Sequence, residues 1–359
     1  MTSSMEFALY PYRIALSRPL PVGKQRIDHR QGLVLEARLD GISAFAEIAP
    51  LSGIDIDGET LQGFSRESLD DCIAALKTSL KQLTTLDELE LAADDASLPA
   101  IGWGLGVAVA KLRGHFGHSI DDTARTPCVP AVPLLYLNPG ESLDALTLRV
   151  KALPDATRFA KVKVAQTSME EELRLIHTIL AARPTLKLRL DANQGFELDT
   201  AIDFCACLPL QSIDYIEEPC RNPQDNPALN RATGIGFALD ESIASGTDAQ
   251  HLPQDPQAQG LKALVLKPML LGSPARVQRL IDQAHTLGVR CVISSSLESS
   301  LGIDALRQFA AITTPDEAPG LDTLAAFDAD CVLPSGKSRL LTPSAPGSIQ
   351  GSEIGASLL

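Results

Sequence analysis

The chain is short of positive charge: 31 Lys and Arg stand against 45 Asp and Glu, a formal net charge of −14. Binding to a phosphate backbone needs concentrated Lys and Arg, so nucleic acid is excluded as an expected partner. Long apolar runs are also missing, none approaching the roughly 20 residues that span a bilayer, so no membrane partner is expected. The N-terminus, MTSSMEFALYPYRIAL, has no basic region followed by a continuous apolar core, and no secretory signal is expected. These absences lead to the expectation of a soluble cytoplasmic protein. The seven cysteines, Cys72, Cys128, Cys205, Cys207, Cys220, Cys291 and Cys331, include no CxxC pair. Cys205-x-Cys207 has the wrong spacing for a zinc knuckle and no histidine beside it. They are expected to be buried or incidental thiols in a reducing compartment. No GxSxG elbow exists, which argues against a serine nucleophile. Gly102-Trp-Gly-Leu-Gly106 lacks the spacing and the preceding strand of a dinucleotide fingerprint, which argues against a doubly wound sheet.

What is present is charge at regular intervals. Lys163, Asp191, Glu217, Asp240 and Lys267 follow one another with gaps of 28, 26, 23 and 27 residues. Each lies in or just after a short apolar run: KVKV, LRLDAN, YIEEP, ALDES and LVLKP. A barrel of roughly 250 residues divided over eight βα units gives about 31 residues per unit, each strand presenting polar residues at its C-terminal end. A chain of 359 residues with 45% hydrophobic content suits such a barrel plus a smaller domain.

The first part does not follow this rhythm. YRIAL, LVLEARL and SAFAEIA read as strands joined by turn-like DHRQG and LDG, followed by helical stretches near 66–83, 86–93 and 100–115. The expected organisation is an α+β domain over 1–125, an α/β barrel over 126–330 and a C-terminal tail over 331–359. TPCVPAVP reads as the linker into the barrel, and the tail as extended or packed back on the first domain. Within the barrel, PLLYLN, AKVKVA, LKLRLDAN, SIDYIEEP, IGFALDES, KALVLKP and RCVISSS read as strands, with a last one near 321–327. SPARVQRLIDQAHTLG reads as a helix closed by Gly288.

Side chains alternate across a strand, so Lys161 and Lys163 face the same way. The outer face of a barrel packs on apolar helices, which claims Val162 and Val164 and turns both lysines inward. The same parity sends Leu188 and Leu190 outward and Arg189, Asp191 and Asn193 inward. It selects Glu217 over Glu218 as the inward carboxylate and turns Lys267 inward with Val265. Three inward carboxylates repel one another unless a cation lies between them. With no histidine or cysteine nearby the donor set is hard, favouring Mg²⁺ or Mn²⁺ over zinc. A lysine acts as a general base once its pKa falls from about 10.4 towards neutrality, which nearby positive charge and partial desolvation promote. For Lys163, Lys161 and the metal would supply that charge. The stretch VISSSLESSLG, 292–302, offers hydroxyls and the opening amides of a helix to a substrate carboxylate. Each feature also has a plain structural alternative: solvated loop carboxylates, salt-bridged lysines, and a Ser-rich capping turn.

At these residues the chain resembles the enolase superfamily over nearly its full length. The K-x-K at 161–163 and the lysine at 267 resemble its muconate-lactonizing branch. AKVKV, LRLDAN, IEEPC, DES, LKPML-x-GS, ISSSLESSLG and PGLDT together are similar to the o-succinylbenzoate synthase family in its gamma-proteobacterial form. The resemblance implies a modified (β/α)₇β TIM barrel with an N-terminal α+β capping domain, whose loops near 18–25 and 49–56 close over the mouth. It implies a lysine base with Mg²⁺ stabilising an ene-diolate. The implied reaction is syn-dehydration of 2-succinyl-6-hydroxy-2,4-cyclohexadiene-1-carboxylate to o-succinylbenzoate, a step of menaquinone synthesis on a small-molecule carboxylate. Carried over by the same resemblance, Asp191, Glu217 and Asp240 are the metal ligands and Lys163 is the base that then assists loss of the hydroxyl. Lys267 is the opposite lysine that stabilises the anion, and Lys161 tunes Lys163. Arg189, Asn193, Ser294 and Gly320 lie around substrate or metal. Three other readings stay open. A dipeptide epimerase or N-acylamino acid racemase would use the same two lysines, one on each face. A muconate cycloisomerase would use the same scaffold, and a non-catalytic binding protein would keep only the metal.

Overall fold

Asp40 and Gly41 both take positive φ, 52° and 80°, as the tightest two-residue hairpin turns require. They join β2 (Gln25–Leu39) to β3 (Ile42–Ile48), so the expected LDG turn is where the strands reverse. The computed structural model describes residues 5–23, 25–62, 64–116, 131–138, 140–244, 252, 255–330, 338–339 and 357–359. In it β1 (Glu6–Val22) pairs antiparallel with β2, completing a three-stranded sheet in the order β1-β2-β3. DHRQG, expected as a turn, instead lies inside β2, with Ala15 opposite His29, Ile14 opposite Arg30 and Tyr12 opposite Gly32. The glycine there serves a close approach: a Cβ on Gly32 would lie 2.7 Å from the Tyr12 hydroxyl and 2.8 Å from Ala49 Cβ.

Three helices follow: α1 (Leu69–Ser79), α2 (Leu86–Asp94) and α3 (Pro99–Leu112). Ser68 with Asp71 and Thr85 with Glu88 form capping boxes at the starts of α1 and α2, which satisfies amides a helix start otherwise leaves open. The glycines of the GWGLG run work in packing, since a Cβ on Gly104 would run into Ile48 and one on Gly106 into Pro274. Trp103 between them packs edge-on against Phe309, with ring centroids 5.3 Å apart.

The rest builds an α/β half-barrel: seven parallel strands in the order β10-β9-β8-β7-β6-β5-β4, curled, with helices between them. They are β4 (Leu134–Leu135), β5 (Phe159–Lys163), β6 (Lys187–Asp191), β7 (Ile213–Glu217), β8 (Phe237–Leu239), β9 (Leu261–Leu266) and β10 (Arg290–Ile293). Between them run α4 (Leu143–Lys151), α5 (Met169–Ala182), α6 (Leu198–Ala206), α7 (Asn226–Thr233), α8 (Glu241–Ala244), α9 (Pro268–Leu271) and α10 (Pro274–Thr286). After β10 comes α11 (Ser300–Thr313). Gly288, with φ of 70°, follows the end of α10.

Two apolar clusters reflect the alternation along the strands. Val162, Val164, Leu188, Leu190, Ile216, Leu264 and Leu266 belong to the large core beneath the helices. Tyr215, Ala238, Ala263, Val265 and Val292 form a small separate cluster on the other face.

The expected last strand at 321–327 is absent from those positions. Strand-like bonding comes just earlier: Gly320 N donates to Ile293 O at 2.8 Å, Ser295 N to Gly320 O at 3.0 Å, and Val132 N to Pro319 O at 2.9 Å. Beyond it side chains replace the ladder. The Asp322 carboxylate takes Leu134 N, the Thr323 hydroxyl meets that of Ser295, and Leu324–Ala326 tightens into a 3₁₀ turn. A short parallel pair, β11 (Ala329–Asp330) with β12 (Ser338–Arg339), ends this part, and Leu358 N donates to Leu9 O. Most of the expected linker and of the tail, with Cys128 and Cys331, lies outside the described residues. No helix among the described residues is long and apolar enough to cross a membrane. Burial pushes the thiols of Cys72, Cys205 and Cys291 up to about 12, so they stay protonated and unreactive.

Candidate active site

Strand register brings the spaced charges together. Lys163 pairs across β5–β6 with Asp191, and Asp191 across β6–β7 with Glu217. Asp240 follows β8, Lys267 follows β9 and Ser294 follows β10, so the carboxyl ends of six neighbouring strands carry the whole set. Asp191, Glu217 and Asp240 are 2%, 2% and 3% exposed, too buried for solvated loop carboxylates.

The three lysines differ in their partners. Lys161 Nζ lies 2.9 Å from Asp191 Oδ2 and 2.9 Å from Glu217 Oε2, so its ammonium rests on the carboxylates rather than beside Lys163 alone. Lys267 Nζ lies 2.5 Å from Asp240 Oδ2. Lys163 Nζ instead donates to a neutral oxygen, Asn193 Oδ1, at 3.2 Å, and Asn193 Nδ2 donates to Glu241 Oε1 at 2.7 Å. Asn193 stands at a φ of 42°, a left-handed position that asparagine tolerates. The loop after β5 is held by Glu172, which accepts the amides of Ala165, Gln166 and Thr167.

Burial acts to lower Lys161 and Lys267, but the facing carboxylates outweigh it and hold both ammonium groups above their ordinary range. Burial pushes Glu217 up, and Asp191 and Asp240 add to that, so its carboxyl lies well above the usual range. Asp191 is also pushed up by burial, yet Lys161 and Lys163 hold it below. Two buried carboxylates thus share one ammonium, and Glu217 is the member left short of positive charge. That shortage, with an all-oxygen donor set, fits a hard divalent cation. No group of three carboxylate, imidazole or thiol side chains among the described residues converges to chelate an ion with the lysines where they stand.

Other expected residues fall elsewhere. Arg189 is buried one layer below Asp191, where it bonds Asp214, Glu317 and the Ala318 carbonyl and lies over the Phe159 ring, 4.4 Å from its centroid. Its guanidinium is consumed by that network and is not brought to the carboxylates. Ser294 and Gly320 do meet: Ser294 Oγ donates to Gly320 O at 3.2 Å. The opening amides of α11, expected to hold a substrate carboxylate, are already taken by Glu47, which accepts Ser299 N at 3.0 Å and Gly302 N at 2.8 Å. That corrects the expectation, since a protein carboxylate fills the seat. The expected lid loops meet the α/β part through the Arg18 guanidinium, which bonds the Tyr136 hydroxyl just beyond β4 and stacks 4.8 Å from its ring centroid, and through Ala49 N, which donates to Met269 Sδ in α9 at 3.4 Å.

Buried oxygen donors and lysines at the ends of adjacent parallel strands, in a chain that also carries an N-terminal antiparallel sheet, define a class whose families can be compared directly. The family described as "Enolase C-terminal domain-like" matches residues 147–347, and the one described as "MenC, N-terminal domain" matches residues 4–112. An o-succinylbenzoate synthase of Yersinia enterocolitica is 35% identical over 327 residues, covering 90% of this chain and 92% of that protein. The chain belongs to the enolase superfamily and, within it, to the o-succinylbenzoate synthase family. In fold it is similar to a dipeptide epimerase from Methylococcus capsulatus complexed with Mg and the dipeptide L-Arg-D-Lys. That likeness has a TM-score of 0.73 at 24% identity, over 92% of this chain and 93% of that one. It is likewise similar to an o-succinylbenzoate synthase from Thermosynechococcus elongatus BP-1 complexed with Mg in the active site, with a TM-score of 0.67 at 24% identity. There the coverage is 92% of this chain and 96% of that one.

Proposed function

We propose that this chain is an o-succinylbenzoate synthase that dehydrates 2-succinyl-6-hydroxy-2,4-cyclohexadiene-1-carboxylate to o-succinylbenzoate in the cytoplasm, for menaquinone synthesis. The observation that carries the reading is the 35% identity to the Yersinia enterocolitica enzyme over 90% of the chain, and the register of Lys163, Asp191 and Glu217 supports it. Asp191, Glu217 and Asp240 would hold Mg²⁺, with Mn²⁺ as the alternative ion. When bound, the cation supplies positive charge to the substrate carboxylate as that group gains negative charge.

Lys163 Nζ takes the proton from the carbon bearing the ring carboxylate. The electron pair left behind forms the third ring double bond, to the neighbouring carbon, as the C–O bond there breaks. The departing hydroxyl collects the proton from the same ammonium, leaving as water and returning the amine. A single lysine on one face requires syn geometry. Lys163 suits this role because it hydrogen-bonds a neutral amide oxygen, whereas the ammonium groups of Lys161 and Lys267 lie on carboxylates. Lys267, four strands round the curve, keeps its charge and offsets the anion; Lys161 adjusts the charge around Asp191 and Glu217. Asn193 holds Lys163, Ser294 and Gly320 border the substrate, and Arg189 supports the floor.

We further read 1–125 as the capping domain, 126–330 as a (β/α)₇β barrel closed at 319–320 between Ile293 and Val132, and 331–359 as a tail returning towards the cap. The test is to add protein and Mg²⁺ to the cyclohexadiene substrate and follow the aromatic product, with EDTA as control. EDTA-sensitive turnover is expected. Folded, Mg²⁺-supplied protein that makes no product would refute the reading, and α-hydrogen exchange of dipeptides or N-acylamino acids in deuterated solvent would then favour the racemase alternative.

A further inference from the structure

Glu217 has an acidic neighbour that faces the other way and yet never reaches solvent: Glu218 is 0% exposed. An isolated carboxylate in such a place is costly unless its oxygens are fully hydrogen-bonded. Here they are. Glu218 Oε1 accepts the amides of Asp240 and Ser242, both at 2.9 Å. Glu218 Oε2 accepts the Ser242 hydroxyl at 2.9 Å and Gln194 Nε2 at 3.3 Å. Its backbone takes part as well, with Glu218 N donating to Ala238 O at 3.0 Å and Gln194 N donating to Glu218 O at 2.7 Å.

One residue therefore ties together the three loops that begin just past Asp191, Glu217 and Asp240. The tie matters most for Asp240. β8 is only three residues long, and its pairing with β7 stops at Ala238 opposite Glu217. Asp240 lies beyond that ladder, and its backbone amide is fixed by Glu218. The φ of Glu218 is 40°, a left-handed value that costs a non-glycine residue about 1 kcal/mol or more and persists only where surrounding bonds impose it.

We propose that Glu218 is the positioning residue of the metal site, setting the place of Asp240 relative to Asp191 and Glu217. The inference rests on the reading that these three carboxylates hold the divalent cation. Glu218 itself touches neither cation nor substrate and acts through the loops.

Mg²⁺ titration of the full chain by calorimetry, without substrate, tests it. Glu218→Gln keeps the shape but makes one terminal atom a donor, and whichever end the amide takes, two donors lose their acceptor. Removing a support of this kind weakens metal binding roughly 10–100-fold. Ser242→Ala removes one of the four bonds and is expected to weaken it about threefold. A folded Glu218→Gln protein, judged by a cooperative melt, that binds Mg²⁺ as tightly as the parent would overturn the proposal. Should Glu218→Gln not fold, Ser242→Ala decides in the same way: unchanged affinity overturns, weakened affinity supports. A parent chain that binds no Mg²⁺ would overturn the metal reading itself, a result distinct from failure of the variants alone.

Discussion

The Glu47 carboxylate accepts the backbone amide of Ser299 at 3.0 Å, joining the last strand of the antiparallel sheet to the first turn of α11. Its other oxygen accepts Gly302 N at 2.8 Å and the Ser299 hydroxyl at 2.5 Å. Helix N-termini attract anions, and buried charge-assisted hydrogen bonds are among the stronger ones. Arg30 adds a second tie, donating to the carbonyls of Leu297 and Ser296 before α11 and to those of Ala49 and Pro50 just past β3. Glu47→Ala strands the Ser299 and Gly302 amides in a dry interface and is expected to cost about 3 kcal/mol or more. Urea unfolding measures it; a loss below about 1 kcal/mol would show that the tie carries little of the contact between the antiparallel sheet and α11.

The two lysines should separate by role. Lys163→Ala removes the proposed acid–base group and is expected to lower kcat by roughly 10²–10⁴-fold. Asn193→Ala frees the Lys163 side chain without removing it and should cost less, about tenfold. Steady-state dehydration rates check both. Near-parental activity in Lys163→Ala beside an inactive Lys267→Ala would reverse the assignment of the base.

How much of this was legible in the sequence depends on whether a residue's partners are local. The parity of KVKV, LRLDAN and ALVLKP follows from strand geometry alone, and the separate clusters around Val162 and Val265 agree with it. The hairpin turn at Asp40-Gly41 is equally local. DHRQG carries turn-forming residues, yet its glycine is there because Tyr12, 20 residues away, crosses it. Strand parity reads Glu218 as the outward carboxylate, but the loops after β6 and β8 bond to its side chain, and no spacing announces that. Glu47 gives no signal either, since its partners at the start of α11 lie more than 250 residues on.

Gly320 and Ser294 should behave as one unit. A Cβ on Gly320 would lie 2.7 Å from Ser294 Oγ, closer than packed atoms allow, and 3.3 Å from Ser294 Cβ, a tight contact. Gly320→Ala is therefore expected to push the serine out of place and raise KM severalfold. Removing the hydroxyl relieves the closest contact, so Gly320→Ala with Ser294→Ala should be no worse than Ser294→Ala alone. Additive losses in the double variant would show that the two act separately.

Stability should carry the mark of one buried acid, Glu298, just before α11. Burial raises Glu298 from 4.5 to about 6; the Ser296 hydrogen bonds oppose this and the nearby Glu47 adds to it. Its carboxyl is 0% exposed, so solvent screening does not dilute the effect. Between those two values the folded chain holds the proton more tightly than the unfolded one, and stability falls as pH rises. The contribution is fully present below about pH 4.5 and is lost as pH passes about 6, amounting to about 2 kcal/mol. Glu298→Gln removes the titration and leaves every other carboxylate in place. The parent's stability relative to this variant, from urea unfolding at about pH 4 and about pH 7, should therefore decline by about 2 kcal/mol. A difference independent of pH would mean that Glu298 ionises at its ordinary value and that Arg30 neutralises it in the fold.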